Sequence, residues 1–164
     1  AGLIGLLIGV SAEYGMSAAA KQQSSDRVGL GKGHRPPPFT ATDLTGKRHS
    51  LEDPKGRVVV LHFWASWCPY CRTEIPELKE LHEQWAAKGV RVLTVSIDEN
   101  MEQLKQFVAE QGLPYPVISD MDLADQYGVS GIPVTYVIAK DGRILTRLGG
   151  AGEIIEAVKR ALES

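Results

Sequence analysis

The sequence predicts an α/β domain: a central mixed sheet flanked by helices, with a β-hairpin ahead of it and a short strand and helix inserted late. Three observations predict this. Residues 58–64 and 90–97 are almost continuously apolar, as strands buried on both faces must be. A segment of helical period separates them, so the first crossing is strand–helix–strand and parallel. Asp141-Gly142 then marks a tight hairpin that gives the sheet an antiparallel edge.

In chain order, residues 39–51 read as two short strands around Asp43-Leu44-Thr45-Gly46-Lys47, with Gly46 in the turn. Asp53-Pro54-Lys55-Gly56 is a second turn, and the strand over 58–64 follows with His62 as its one interruption. A helix starts at Cys68, where Pro69 suits the first helical position because its missing N–H is not needed there. Pro76 predicts a kink, since it removes a backbone bond and crowds the previous turn. Beyond it Leu78, Leu81, His82 and Trp85 share a face, and Lys88-Gly89 ends the segment. Asn100 caps the next helix with Gln103 at capping-box spacing; Leu104, Phe107, Val108 and Gln111 share its face. Gly112 and Pro114 stop it. Residues 116–119 read as a short strand, 122–127 as a short helix, 132–139 as a strand and 143–148 as its antiparallel return. A closing helix carries Ile154, Ile155, Val158 and Leu162 at helical spacing.

Composition narrows the function. The 164 residues suffice for one domain with a real core plus flanking chain. A net charge of -2 without a dense Lys/Arg cluster argues against nucleic acid as a partner. The 2 cysteines stand three apart, too few and too close for a disulfide scaffold. A zinc site needs further ligands at suitable spacing, and none accompanies them, so no metal is expected. Redox chemistry by the Cys68–Cys71 pair itself, with no other cofactor, is the economical reading. At the N-terminus, Leu3 to Val10 is an apolar run with glycines, followed by small residues at Val10-Ser11-Ala12 and Ala18-Ala19-Ala20. It is too short to cross a bilayer, which takes about 20 apolar residues. Residues 1–20 read as the remnant of a signal peptide or membrane anchor, with a disordered tail that happens to be apolar as the bland alternative. Cleavage after Ala12 and after Ala20 both fit. Residues 21–37 read as a linker stiffened by Pro36-Pro37-Pro38, and 38–164 as the folded domain.

A dithiol that cycles with its disulfide needs two nearby sulfurs, a reachable nucleophile and some thiolate at working pH. Cys-x-x-Cys at the mouth of a helix supplies all three, because one turn brings the second sulfur beside the first. The helix N-terminus favours an anion there and lowers a thiol from about 8.5 to roughly 3.5–7.5 in such motifs. Cys68 is therefore the expected nucleophile and Cys71, one turn inside, the resolving thiol. A static structural disulfide is the alternative, but so tight a loop adds little stability.

Phe63-Trp64-Ala65-Ser66-Trp67-Cys68-Pro69-Tyr70-Cys71-Arg72, after a buried strand, resembles the thioredoxin superfamily. Asp43-Leu44-Thr45-Gly46-Lys47, Glu74-Ile75-Pro76-Glu77-Leu78, Ser96-Ile97-Asp98-Glu99 and Tyr127-Gly128-Val129-Ser130-Gly131-Ile132-Pro133 extend the likeness. Together they resemble the exported, often membrane-anchored TlpA/ResA-type proteins from about residue 38 to the C-terminus. The resemblance implies a thioredoxin fold and a thiol–disulfide oxidoreductase acting on protein thiols and disulfides. It implies a monomeric reductase fed by a membrane electron donor, in a bacterial periplasm or on the extracytoplasmic face of the membrane, in cytochrome c maturation or similar work. Tethering through the N-terminus fits the same picture. Ile132-Pro133 matches the loop where the superfamily carries a cis-proline facing the dithiol, with backbone able to pair with an extended substrate. Trp67, Pro69, Tyr70, Ile132 and Pro133 are the expected substrate contacts.

His62 departs from thioredoxins, which carry a buried Asp at the matching place and use it to shuttle the proton of the resolving Cys. A histidine titrates near neutrality and suits the same work; a satisfied core histidine is the other reading. Glu74, Glu77 and Asp98 are acidic neighbours of the motif, with Glu74 and Glu77 expected on the solvated helix surface. His34 and His49 fall in expected loops and His82 on a helix, without metal-ligand spacing. Trp64 reads as core and Trp67 as a lid beside Cys68.

Pro69-Tyr70 is the glutaredoxin dipeptide, which suggests a potential less reducing than thioredoxin's about -270 mV. A disulfide-forming oxidase is thus the nearest alternative, and a copper metallochaperone using both thiols is another. A thiol peroxidase would need a lone cysteine in Pro-x-x-x-Thr-x-x-Cys, against Trp-Ala-Ser-Trp-Cys-Pro-Tyr-Cys here.

Overall fold

The computed structural model describes residues 27–52, 56–150 and 152–164. The apolar run at residues 3–10, the start of the linker and most of the second turn lie outside these residues. Among the described residues seven strands form two sheets. β1 (Thr40–Thr42) and β2 (Arg48–Ser50) pair as the expected antiparallel hairpin. β3 (Val58–Trp64), β4 (Val90–Ser96), β5 (Val117–Ser119), β6 (Val134–Ile138) and β7 (Ile144–Gly149) form a sheet of order β5-β4-β3-β6-β7. β3, β4 and β5 run parallel, and β6 pairs antiparallel with both β3 and β7. All seven residues of β3 are buried, as its unbroken apolar run requires.

The helices follow the period of the chain. α1 (Pro69–Thr73) and α2 (Ile75–Gln84) replace the single kinked helix of the sequence reading. Pro76 has no N–H to offer the carbonyl of Arg72, and the chain breaks at Glu74, whose N–H bonds to Cys71 O instead. A 3-10 turn over Ala86–Lys88 and Gly89 with φ +88° end the segment. α3 (Met101–Gln111) starts where Asn100 Oδ1 accepts from the Gln103 N–H at 3.0 Å, and Gly112 caps its end in the left-handed region. α4 (Met121–Gln126) is capped by Asp120, and α5 (Ile154–Glu163) closes the chain. Small side chains let α5 approach the sheet, so Ile154, Ala157, Val158 and Ala161 carry its buried stripe while Ile155 and Leu162 flank it.

Two cores lie on opposite faces of the large sheet. Val60, Trp64 and Val92 meet Leu78, Leu81, Leu104, Phe107, Val158 and the two cysteines on one face. Leu61, Phe63, Leu93, Tyr127 and Tyr136 pack on the other. Residues 27–37, read from composition as the end of a linker, lie against this domain. Gly33 N–H donates to Ile144 O at 2.8 Å, Ile144 N–H donates to His34 O at 2.9 Å, and Tyr127 Oη donates to Pro37 O at 2.6 Å. Each of these bonds uses backbone of residues 33–37, and backbone pairing leaves no trace in side-chain composition.

The hairpin is tied down by a charged knot. Asp43 Oδ1 accepts from the Thr45 N–H and Oγ1 and from the Lys47 N–H, while Oδ2 meets His49 Nε2 at 2.7 Å. Arg91 can only donate, so His49 Nδ1, 3.2 Å away, accepts, and the ring proton on Nε2 goes to Asp43. His49, expected in a loop, is therefore a buried strand residue: its partners remove the cost of burying it. Burial raises the Asp43 carboxyl, but the bonds from Thr45, His49 and Lys47 outweigh it and hold the pKa down at about 2. A lowered folded pKa contributes stability above the unfolded value that disappears as pH falls through the folded one. Asp43→Ala should cost roughly 3 kcal/mol near neutrality, with the gap to the wild type shrinking as pH falls from about 4 to about 2, measured by denaturant unfolding.

Candidate active site

The end of β3 delivers the dithiol. Its last residue is Trp64, buried against Phe107, and the chain then turns through Ala65-Ser66-Trp67 into α1. Asp98, at the end of the neighbouring β4, clamps that turn: its carboxylate accepts from the Ser66 N–H at 2.8 Å, from Ser66 Oγ, and from Ser96 Oγ at 2.7 Å. Arg72 Nε donates to Ser66 O at 2.8 Å from the other side, with its guanidinium over the Phe107 ring. Of the three acidic neighbours named from the sequence, Asp98 is the one that fixes the loop.

Cys68 is the N-cap of α1, and its Sγ accepts from the Cys71 N–H at 3.2 Å. The two cysteines are disulfide-bonded with Cα atoms 5.3 Å apart, an ordinary separation for such a bond. Cys68, expected to face solvent, keeps only 4% of its surface exposed, and Cys71 1%. The apolar rim is open: Trp67 is 56% exposed and Tyr70 69%. Pro69 begins α1 and is exposed beside them.

Ile132-Pro133 reaches the same end of the sheet. Phe63 pairs with Val134, so Pro133 lies one step further, where the chain leaves β3 for the motif. The Ile132–Pro133 peptide is cis, with Pro133 buried and Ile132 half-buried.

His62 lies deeper on β3, on the same face as Trp64 and the cysteines. Its Nδ1 is 2.8 Å from Thr135 Oγ1 and its Nε2 is 3.7 Å from a Glu74 carboxylate oxygen. Glu74 corrects the sequence reading. It is 2% exposed rather than on the solvated surface, because it stands three residues after Cys71 and so shares the inward face of the helix. Neither carboxylate oxygen has a hydrogen-bond partner within ordinary geometry among the described residues. Burial therefore pushes the Glu74 pKa up from 4.5 to about 7; the Gly152 amide offsets this slightly, and the charge of Glu77 adds to it. Burial pushes His62 the other way, to about 3, so its ring is neutral at pH 7. The group poised near neutrality is thus the carboxyl and not the imidazole. Glu77 corrects the reading too: its Oε1 accepts from the Ile155 N–H at 2.8 Å and caps α5 from a distance.

The AhpC/TSA family matches residues 33–147. The thiol-disulfide oxidoreductase ResA of Bacillus thuringiensis is 36% identical over 141 residues, 85% of this chain and 79% of that protein. The chain belongs to this family. It is a thiol–disulfide oxidoreductase of the ResA type with a thioredoxin fold, and family membership implies protein thiols as substrates. A thiol:disulfide interchange protein DsbE from Chlorobium tepidum superposes with TM-score 0.75 at 30% identity, over 82% of this chain and 99% of that one. A secreted thiol-disulfide isomerase from Corynebacterium glutamicum does so with TM-score 0.67 at 31% identity, over 77% of this chain and 83% of that one. Within this ResA-type member, no group of three or more His, Cys, Asp or Glu side chains among the described residues converges as a metal site. No helix among them is long and apolar enough to cross a membrane.

Proposed function

We propose that the protein is an extracytoplasmic disulfide reductase that uses Cys68 as nucleophile, Cys71 as resolving thiol and Glu74 as the base for Cys71. The observation that carries this is a carboxyl buried three residues after Cys71, where burial pushes its pKa up to about 7, behind a dithiol whose outer sulfur caps a helix. In the reduced protein the Cys68 thiolate attacks one sulfur of a substrate disulfide, forming a mixed disulfide and expelling the other sulfur as a thiolate. The Cys71 N–H and the head of α1 favour the attacking anion. Glu74 then takes the Cys71 proton, and the Cys71 thiolate attacks Cys68 Sγ. That closes the Cys68–Cys71 disulfide and releases the second substrate thiolate, so two electrons have passed to the substrate. A thiol base needs a matching pKa, and a carboxyl near 7 is far closer to a thiol than an ordinary glutamate.

Trp67, Pro69, Tyr70, Ile132 and Pro133 receive the substrate around the cysteines, with extended backbone pairing beside Ile132 as the docking mode. A membrane donor returns two electrons to the disulfide. The apolar residues 3–10 tether the chain or directed its export; a relative of known structure is itself secreted. Haem-binding thiols of apocytochromes are a substrate class that the family resemblance suggests.

Cys71→Ala tests the scheme. This variant should accumulate mixed disulfides through Cys68 with protein substrates, visible as adducts lost on adding a reductant. Tight copper binding without adducts would favour the metallochaperone reading. Titration of the purified protein against glutathione tests direction: a potential near the strongly oxidising end, about -120 mV, would make it an oxidase.

A further inference from the structure

His62 and Thr135 face each other across β3 and β6, paired in register and each 1% exposed. The contact between them, Nδ1 to Oγ1 at 2.8 Å, has two possible polarities. The hydroxyl carries one hydrogen and two lone pairs. His62 is its partner among the described residues, so a ring donating from Nδ1 would strand the hydroxyl hydrogen in the core. A buried donor left unmade costs more than an acceptor lone pair left over. Thr135 therefore donates, Nδ1 accepts, and the single proton of the neutral ring sits on Nε2. That nitrogen is the one 3.7 Å from Glu74.

We propose that Thr135 is a positioning residue for disulfide exchange: it holds His62 as the Nε2–H tautomer, whose N–H is aimed at Glu74 and stabilises that carboxylate once it is ionised. The inference deepens the reading of Glu74 as the base for Cys71 and rests on it. The contact is longer than a hydrogen bond while Glu74 is protonated and closes by a small movement when the carboxyl loses its proton. In the opposite tautomer an Nε2 lone pair would face the anion and repel it.

The surroundings leave this task to His62. From the α1–α2 side the charged groups are Glu74 itself and Glu77, whose charge works against a second anion. α5 presents Ile154, Ala157 and Val158, and β6 adds Val137. On β4, Thr94 pairs with His62 in register but spends its hydroxyl on Pro116 O. The Gly152 amide is the other group that favours the ionised carboxyl.

The first measurement needs no variant. Nitrogen-15 spectra of His62 in the intact wild-type protein should show Nδ1 as the bare nitrogen and Nε2 as the protonated one; the reverse overturns the proposal. The second follows release of the second thiol from a peptide disulfide in single turnovers across pH. Thr135→Val should shift the midpoint of that profile up by about one pH unit, roughly a tenfold loss of rate near neutrality, while Thr135→Ser stays with the wild type. An unmoved midpoint in Thr135→Val, or a Ser variant displaced as far as Val, sinks it. Glu74→Gln separates the two readings. If that variant keeps the wild-type profile, the base assignment has failed whatever the tautomer proves to be.

Discussion

Cys68→Ser is expected to slow disulfide exchange by at least about a thousandfold while leaving the fold intact. The two halves of that expectation come from different properties of one position. Cys68 is the N-cap of α1, and serine is among the best residues at such a position, so the helix start is retained. Chemistry is lost because a hydroxyl is not ionised near neutrality and cannot attack a disulfide sulfur. Stopped-flow reduction of a peptide disulfide measures the rate, and thermal unfolding against the reduced wild type measures the fold. Cys71→Ala should differ in kind: it keeps the first attack and stalls afterwards. Exchange in Cys68→Ser within tenfold of the wild type would mean that Cys71, only 1% exposed, is the sulfur that attacks.

Glu74→Gln has the second largest expected effect, and it runs in opposite directions for activity and stability. Without the base, release of the second thiol at pH 8 should fall about a hundredfold, while the first attack by Cys68 keeps its rate. The stability side follows from the sign of the shift. The folded pKa of Glu74 is raised, from 4.5 to about 7, so the folded state holds a proton that the unfolded chain has already released. Wild-type stability therefore falls as pH rises from about 4.5 to about 7 and is level beyond. Glutamine keeps the shape and does not ionise, so the variant should match the wild type near pH 4 and exceed it at pH 8, by on the order of 2 kcal/mol after screening. Denaturant unfolding at the two pH values reads this directly. Equal stability at both, with unimpaired thiol release, would remove Glu74 from the mechanism.

Local spacing made much of the site legible. A spacing of two residues between the cysteines puts both sulfurs on one turn, proline at the first helical position marks the helix start, and Asn100 with Gln103 marks another. Glu74 was within reach of the same rule. Its distance from Cys71 places it on the buried face, whereas its residue type predicts the surface, and in the fold the spacing prevails. Glu77 and His49 were beyond any local rule, since their partners are Ile155, 78 residues away, and the Asp43–Arg91 knot.

By itself the sequence determined the order of elements and the paired cysteines with their inner and outer members. These are matters of period, spacing and turn chemistry, and each depends on residues close in the chain. Only the tertiary structure decided how the groups behind the disulfide are charged. His62 meets Thr135 across 73 residues, and Glu74 lies 3.7 Å from the other ring nitrogen of the same histidine. Protonation depends on how much water and which dipoles surround a group, and those are set by packing of distant segments. Burial holds the His62 imidazole neutral, and the proposed base is the glutamate beside it.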